Sequence, residues 1–97
     1  MTTYFVTRHP GARDWAVAEG MAVDEFIAHL DMAQVQAGDV VIGSLPVNLA
    51  AEVCARGVRY LHLSLDLPAD ARGSELTAET MRKYGARVEA FKVERVE

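Results

Sequence analysis

Residues 38–54, GDVVIGSLPVNLAAEVC, decide the fold. Val40-Val41-Ile42-Gly43 is an unbroken apolar run, which suits a strand covered on both faces. Ser44-Leu45-Pro46 announces a helix, with a serine near its start and proline at the first helical position. Leu49, Ala50, Val53 and Cys54 then recur at helical spacing, and Gly57 ends the helix. A buried strand running straight into a one-faced helix is the unit from which α/β sheets are built.

The same alternation extends in both directions. Tyr4-Phe5-Val6-Thr7 is a short aromatic and β-branched strand that stops at the turn residues Arg8-His9-Pro10-Gly11. Residues 12–19, around Trp15, read as a helix closed by Gly20. Residues 23–30 alternate and predict a second strand, with Phe26, Ala28 and Leu30 on one face and Glu25, Ile27 and His29 on the other. Asp31 can cap one helical turn over residues 32–35. On the C-terminal side, residues 58–65 predict a fourth strand. A loop over residues 66–73 leads to a helix capped by Thr77 and stopped by Gly85, and residues 87–96 form a charged fifth strand placed at a sheet edge. The whole chain, residues 1–97, is predicted to be one α/β domain, a mostly parallel Rossmann-like sheet flanked by helices. Residues 31–39 are short for a parallel crossover, so strands two and three are left either antiparallel or joined by one tight turn.

Length and composition limit the function. A chain of 97 residues buries roughly 60–65% of its unfolded surface, enough for one core. Hydrophobic residues at 51% and charged residues at 25% exclude disorder as the main state. A net charge of -4 argues against binding long nucleic acid, yet eight of the ten cations are arginines, the better fork for a fixed phosphate. The single cysteine, Cys54, excludes an intrachain disulfide and suits a reducing cytoplasm. The first residues carry no signal-peptide pattern, and no apolar run has the length of a membrane span, so a cytoplasmic, membrane-free protein is expected.

Ligands of open α/β sheets sit at the carboxyl ends of the strands. Three loops qualify: Thr7 to Gly11, Gly43 to Asn48, and Ser64 to Pro68. If the first, third and fourth strands are parallel, all three open on one side. Arg8 and His9 offer a fixed cation and a titratable ring, with a helix N-terminus behind them that favours an anion. Ser44, Asn48 and a second helix end complete a phosphate cradle. Arg8, His9 and Ser44 are the candidate catalytic residues, and Thr7, Gly11, Gly43, Asn48 and Asp66 the candidate ligand-binding ones. The plainer readings are that Ser44 caps its helix, Pro10-Gly11 turns the chain and Asp66 caps a loop. His29 and His62 read as satisfied strand histidines, and no histidine pair has metal-ligand spacing. Cys54 reads as core, Trp15 as core or interface, and Arg56, Arg59, Arg72 and Arg82 as solvated surface. Neither G-x-G-x-x-G nor G-x-x-x-x-G-K-[ST] occurs, so ordinary dinucleotide or triphosphate binding has no support, and no cofactor is expected.

Three blocks carry a resemblance: TYFVTRHPGA at residues 3–12, GDVVIGSLPVNLA at 38–50 and YLHLSLDLP at 60–68. Together they resemble the small CRISPR-associated proteins called Csx sixteen, found beside type III CRISPR systems. The resemblance implies a CARF-related, Rossmann-like ring nuclease that cleaves cyclic oligoadenylate, chiefly cyclic tetra-adenylate, and so switches off antiviral signalling. It implies a homodimer holding the ring across its two-fold axis. It also implies metal-independent cleavage, in which a ribose 2′-hydroxyl attacks the adjacent phosphate. The alternatives are a cyclic-oligoadenylate sensor that does not cut and an adaptor protein of the CRISPR machinery.

Overall fold

A computed structural model of the chain describes residues 1–71, 73 and 75–97. Five strands form one sheet: β1 (Thr3–Val6), β2 (Glu25–Ile27), β3 (Val40–Gly43), β4 (Arg59–Ser64) and β5 (Arg87–Phe91). Three α-helices accompany them: α1 (Pro10–Ala18), α2 (Val47–Ala55) and α3 (Ala78–Lys83). The strand order is β2-β1-β3-β4-β5. The first four strands are mutually parallel, and β5 runs antiparallel to β4. This is the expected single α/β unit with a mostly parallel, Rossmann-like sheet.

The apolar run of β3 is covered on both faces, as its composition requires. Val41 packs with Tyr4, Val53 and Tyr60 on the α2 side, and Ile42 packs with Phe5, Trp15 and Met81 on the side of α1 and α3. Trp15 is core, 2% exposed. Burying a side chain of this size contributes on the order of 2–3 kcal/mol, so it anchors α1 to the sheet. Thr77 caps α3 as expected, its hydroxyl accepting from the Thr80 N–H while the Thr80 hydroxyl accepts from the Thr77 N–H. The glycine stops hold too: Gly57 and Gly85 sit at φ +78° and +71°, where a side chain would be strained.

Four expectations need correction. Strands two and three are not neighbours, because β1 lies between them. Residues 28–39 therefore cross over β1 on the α2 side of the sheet, from the carboxyl end of β2 to the start of β3, rather than joining adjacent strands. Leu30, Met32 and Val35 from this segment pack on the α2-side core, in place of a helix, and the Asp31 carboxylate accepts from the Ala33 N–H to hold its turn.

The second strand is only Glu25–Ile27. Its one partner, β1, ends at Val6, so residues 28–30 have nothing to pair with despite their alternation. The fifth strand stops at Phe91, opposite Tyr60 near the start of β4. The chain beyond it leaves the sheet toward α2, where the Val93 N–H meets Cys54 Sγ at 3.4 Å. Pro46 is the N-cap of α2 rather than its first residue. Of the arginines read as surface, Arg56, Arg59 and Arg82 are exposed, and Arg72 lies outside the described residues.

Candidate functional site

β1, β3 and β4 being parallel, their carboxyl ends point the same way and the three loops open on one side. A cleft of about 530 Å³ lies there. Its polar lining comes from Thr7, Arg8, His9, His29 and Ser44. Its floor is apolar and includes Leu49, Leu63, Leu65 and Met81. The cleft spans the ends of β1 and β3, where the chain order reverses direction across the sheet, the usual ligand crevice of such folds.

No carboxylate lines the cleft among the described residues; its only ionisable side chains are Arg8, His9 and His29. In a protein of net charge -4 this is a local reversal of sign. A second concavity, between α2 and residues 92–95, has mixed charge from Glu52, Lys92, Glu94 and Arg95.

The helix ends strengthen the contrast. α1 starts at the N-cap His9 and α2 at the N-cap Pro46, both on the cleft, and neither N-terminus has a side-chain cap. α3, by contrast, carries a full capping box. At α1, Pro10 has no N–H and the Ala12 N–H returns to the His9 carbonyl, which leaves the Gly11 amide; at α2 the Val47 and Asn48 amides remain, so the free N–H groups on the side of Arg8 come mainly from α2.

The structure brings Thr7, Arg8, His9 and Ser44 together. Arg8 and His9 are exposed, and the His9 N–H donates to Thr7 Oγ1 at 3.1 Å, which turns the chain from β1 into α1. Ser44 does not cap its helix. Its hydroxyl donates to the Leu63 carbonyl at 2.7 Å, tying the end of β3 to β4.

The other candidates lie outside the lining. Gly11 is buried, and a Cβ there would sit 1.8 Å from the Leu76 carbonyl oxygen, so its glycine serves the contact between the start of α1 and the loop before α3. Gly43 approaches the Val6 carbonyl, with a notional Cβ at 2.9 Å. Asn48 faces the second concavity. Asp66 is ion-paired with Arg87 at 3.1 Å and does not cap its loop with its side chain.

Two residues escaped the sequence reading. His29 lies beyond β2, exposed, in the same cleft; its alternation with Ile27 gave a strand signal that tertiary pairing overrides. Tyr60 organises the loop after β3. Its hydroxyl accepts from the Leu45 N–H at 3.0 Å, donates to the Gly43 carbonyl at 3.1 Å, and lies 2.6 Å from His62 Nδ1. A hydroxyl has one proton, so with Gly43 as acceptor the His62 contact requires a proton on Nδ1. Burial pushes the Tyr60 hydroxyl pKa up, and the Leu45 N–H opposes this in part. His62 is thus a satisfied strand histidine, as expected.

No group of three His, Cys, Asp or Glu side chains that could hold a metal ion occurs among the described residues. Among them, too, no helix is long and apolar enough to cross a membrane.

No curated protein and no solved structure matches the chain. The model of the family described as "Putative CRISPR-associated protein (Cas_VVA1548)" matches residues 4–94, which include all of the sheet but Thr3, the three α-helices and the whole described lining of the cleft. The chain belongs to this CRISPR-associated family.

Proposed function

We propose that the protein is a ring nuclease that binds cyclic oligoadenylate, of which cyclic tetra-adenylate is the leading candidate, and opens it without a metal ion. The observation that carries this reading is a cleft whose described lining holds Arg8 and His9 with no carboxylate, beside two helix starts without side-chain caps, in an otherwise acidic chain of a CRISPR-associated family. Such a lining suits a phosphodiester. The apolar floor suits the faces of nucleobases.

A ring of ribonucleotides brings its own nucleophile. The protein then has only to align a 2′-hydroxyl with the adjacent phosphorus and stabilise charge on the phosphoryl oxygens. Arg8 and the helix amides meet that charge, and the His9 imidazole supplies proton transfer. Ser44 spends its proton on Leu63, so its oxygen presents lone pairs and suits accepting from a ribose hydroxyl. A homodimer follows from the same reasoning. A near two-fold ring is most simply held by two copies of one cleft.

The test is incubation with cyclic oligoadenylates of several ring sizes in the presence of chelator, followed by chromatography and sedimentation. Linear products ending in a 2′,3′-cyclic phosphate, from a dimer, are expected. Binding without products would make the protein a sensor. Absence of binding to every ring would make it an adaptor of the CRISPR machinery.

A further inference from the structure

We propose that His29 is the second proton-transfer group of the cleft, working opposite His9. The inference rests on the cleavage reading above and assigns a role that reading leaves vacant.

Placement comes first. β1 and β2 pair in parallel, with Val6 opposite Ile27 and the Thr7 N–H donating to the Ile27 carbonyl at 2.9 Å. The chain segments that leave this last pair, Arg8-His9 and Ala28-His29, therefore start side by side, and both line the cleft. Both imidazoles are exposed, and neither makes a side-chain hydrogen bond or ion pair among the described residues. The polar and charged groups on the elements around His29 are Arg8 and His9 from the β1 loop, Thr7 beside them and Ser44 from the β3 loop, with no carboxylate among the lining residues.

The chemistry then asks for two such groups. The 2′-oxygen attacks phosphorus and the P–O5′ bond breaks. The 2′-hydroxyl must lose a proton, and the departing 5′-oxygen must gain one. One imidazole takes the first proton and the other, already protonated, gives the second. The ring opens to a chain with a 2′,3′-cyclic phosphate at one end and a 5′-hydroxyl at the other, consuming nothing else. Afterwards the two rings exchange protons with solvent to reset. Arg8 cannot serve in either role because it stays protonated. The Ser44 proton is committed to the Leu63 carbonyl. His29 is the remaining imidazole among the described lining residues.

The experiment is single-turnover cleavage of cyclic tetra-adenylate from about pH 5 to about pH 9 by the parent, His29→Ala and His29→Gln. Binding is measured in parallel with the 2′-O-methylated ring, which cannot react. The parent should give a bell-shaped profile. Each variant should bind the methylated ring as the parent does, cleave about 10²–10⁴-fold more slowly, and lose one limb of the bell. Parent-like rates, or slow rates with both limbs retained, would overturn the role of His29. So would a loss of rate matched by an equal loss of binding. A parent that cleaves no cyclic oligoadenylate would instead overturn the nuclease reading on which this rests, and the two failures are separate observations. His29 is exposed and outside the core, so both variants are expected to fold.

Discussion

The Ser44 hydroxyl is bonded to the Leu63 carbonyl at 2.7 Å, across residues 19 apart in sequence. The contact joins the ends of two parallel strands at the floor of the cleft, and it fixes which way the serine proton points. Ser44→Ala should therefore cost stability before chemistry. The loss of one hydrogen bond is expected to lower unfolding free energy by about 1 kcal/mol. Cleavage by the folded fraction should fall less than it does in Arg8→Ala. Denaturant melts and single-turnover rates on the same samples check both statements.

Arg8→Ala removes the only guanidinium among the described residues of the cleft lining. Turnover of cyclic tetra-adenylate should drop about 10²–10³-fold, with little change in melting temperature, because the side chain is exposed. Cys54→Ser is the control. It perturbs a half-buried thiol on α2 and should leave the cleavage rate of folded protein unchanged.

Tyr60→Phe keeps the ring in the core and deletes a hydroxyl that holds three partners. The Gly43 carbonyl and Leu45 N–H that flank Ser44 lose their tie, at an expected cost of about 1–3 kcal/mol. The loop carrying Ser44 should then be less well placed. A rise in KM larger than the fall in kcat would identify Tyr60 as a positioning residue.

Asp39 is buried and accepts from the N–H groups of Thr2, at 2.9 Å, and Gln36, at 2.9 Å. Those two bonds, Gln36 first, hold its carboxyl below the ordinary value. The unfolded chain therefore binds this proton more readily than the folded one. The stability so gained is complete above the ordinary carboxylate range and is lost as pH falls through the lowered folded value. Asp39→Ala should reduce the melting temperature at neutral pH and flatten its decline on acidification, as thermal melts across an acid series would show.

Gly11→Ala places a methyl group on the Leu76 carbonyl, with backbone on both sides of the contact and no flexible side chain to give way. The expected loss is about 1–3 kcal/mol or more, from forced separation of α1 and the loop before α3. Met81 fluctuations should increase, which hydrogen exchange of α3 amides would detect.

Much of the architecture could be read from local pattern. The run at Val40–Gly43, the helical stripe through Val53 and the cap at Thr77 each act through near neighbours, and each formed where expected. The convergence of Arg8, His9 and Ser44 also followed, since parallel strands must present their ends together. What resisted reading was set by distant partners. Nothing within residues 23–30 says that β1 ends at Val6 and strips Ala28 and His29 of pairing. Nothing beside Asp66 announces Arg87. The proton of Ser44 goes to Leu63, which only the β3–β4 register brings near.

The interior seat of β1, between β2 and β3, shapes how this chain can acquire its structure. Its flanking partners arrive only with residues 25–27 and 40–43, and its buried Phe5 must wait for both. During synthesis the Thr3–Val6 segment emerges ahead of everything it pairs with, an apolar segment with two open edges. The sheet therefore cannot be laid down from one edge to the other in chain order. It must assemble around a strand already made, which ties the rate of folding to non-local closure and leaves this segment the one most in need of protection until β3 is out.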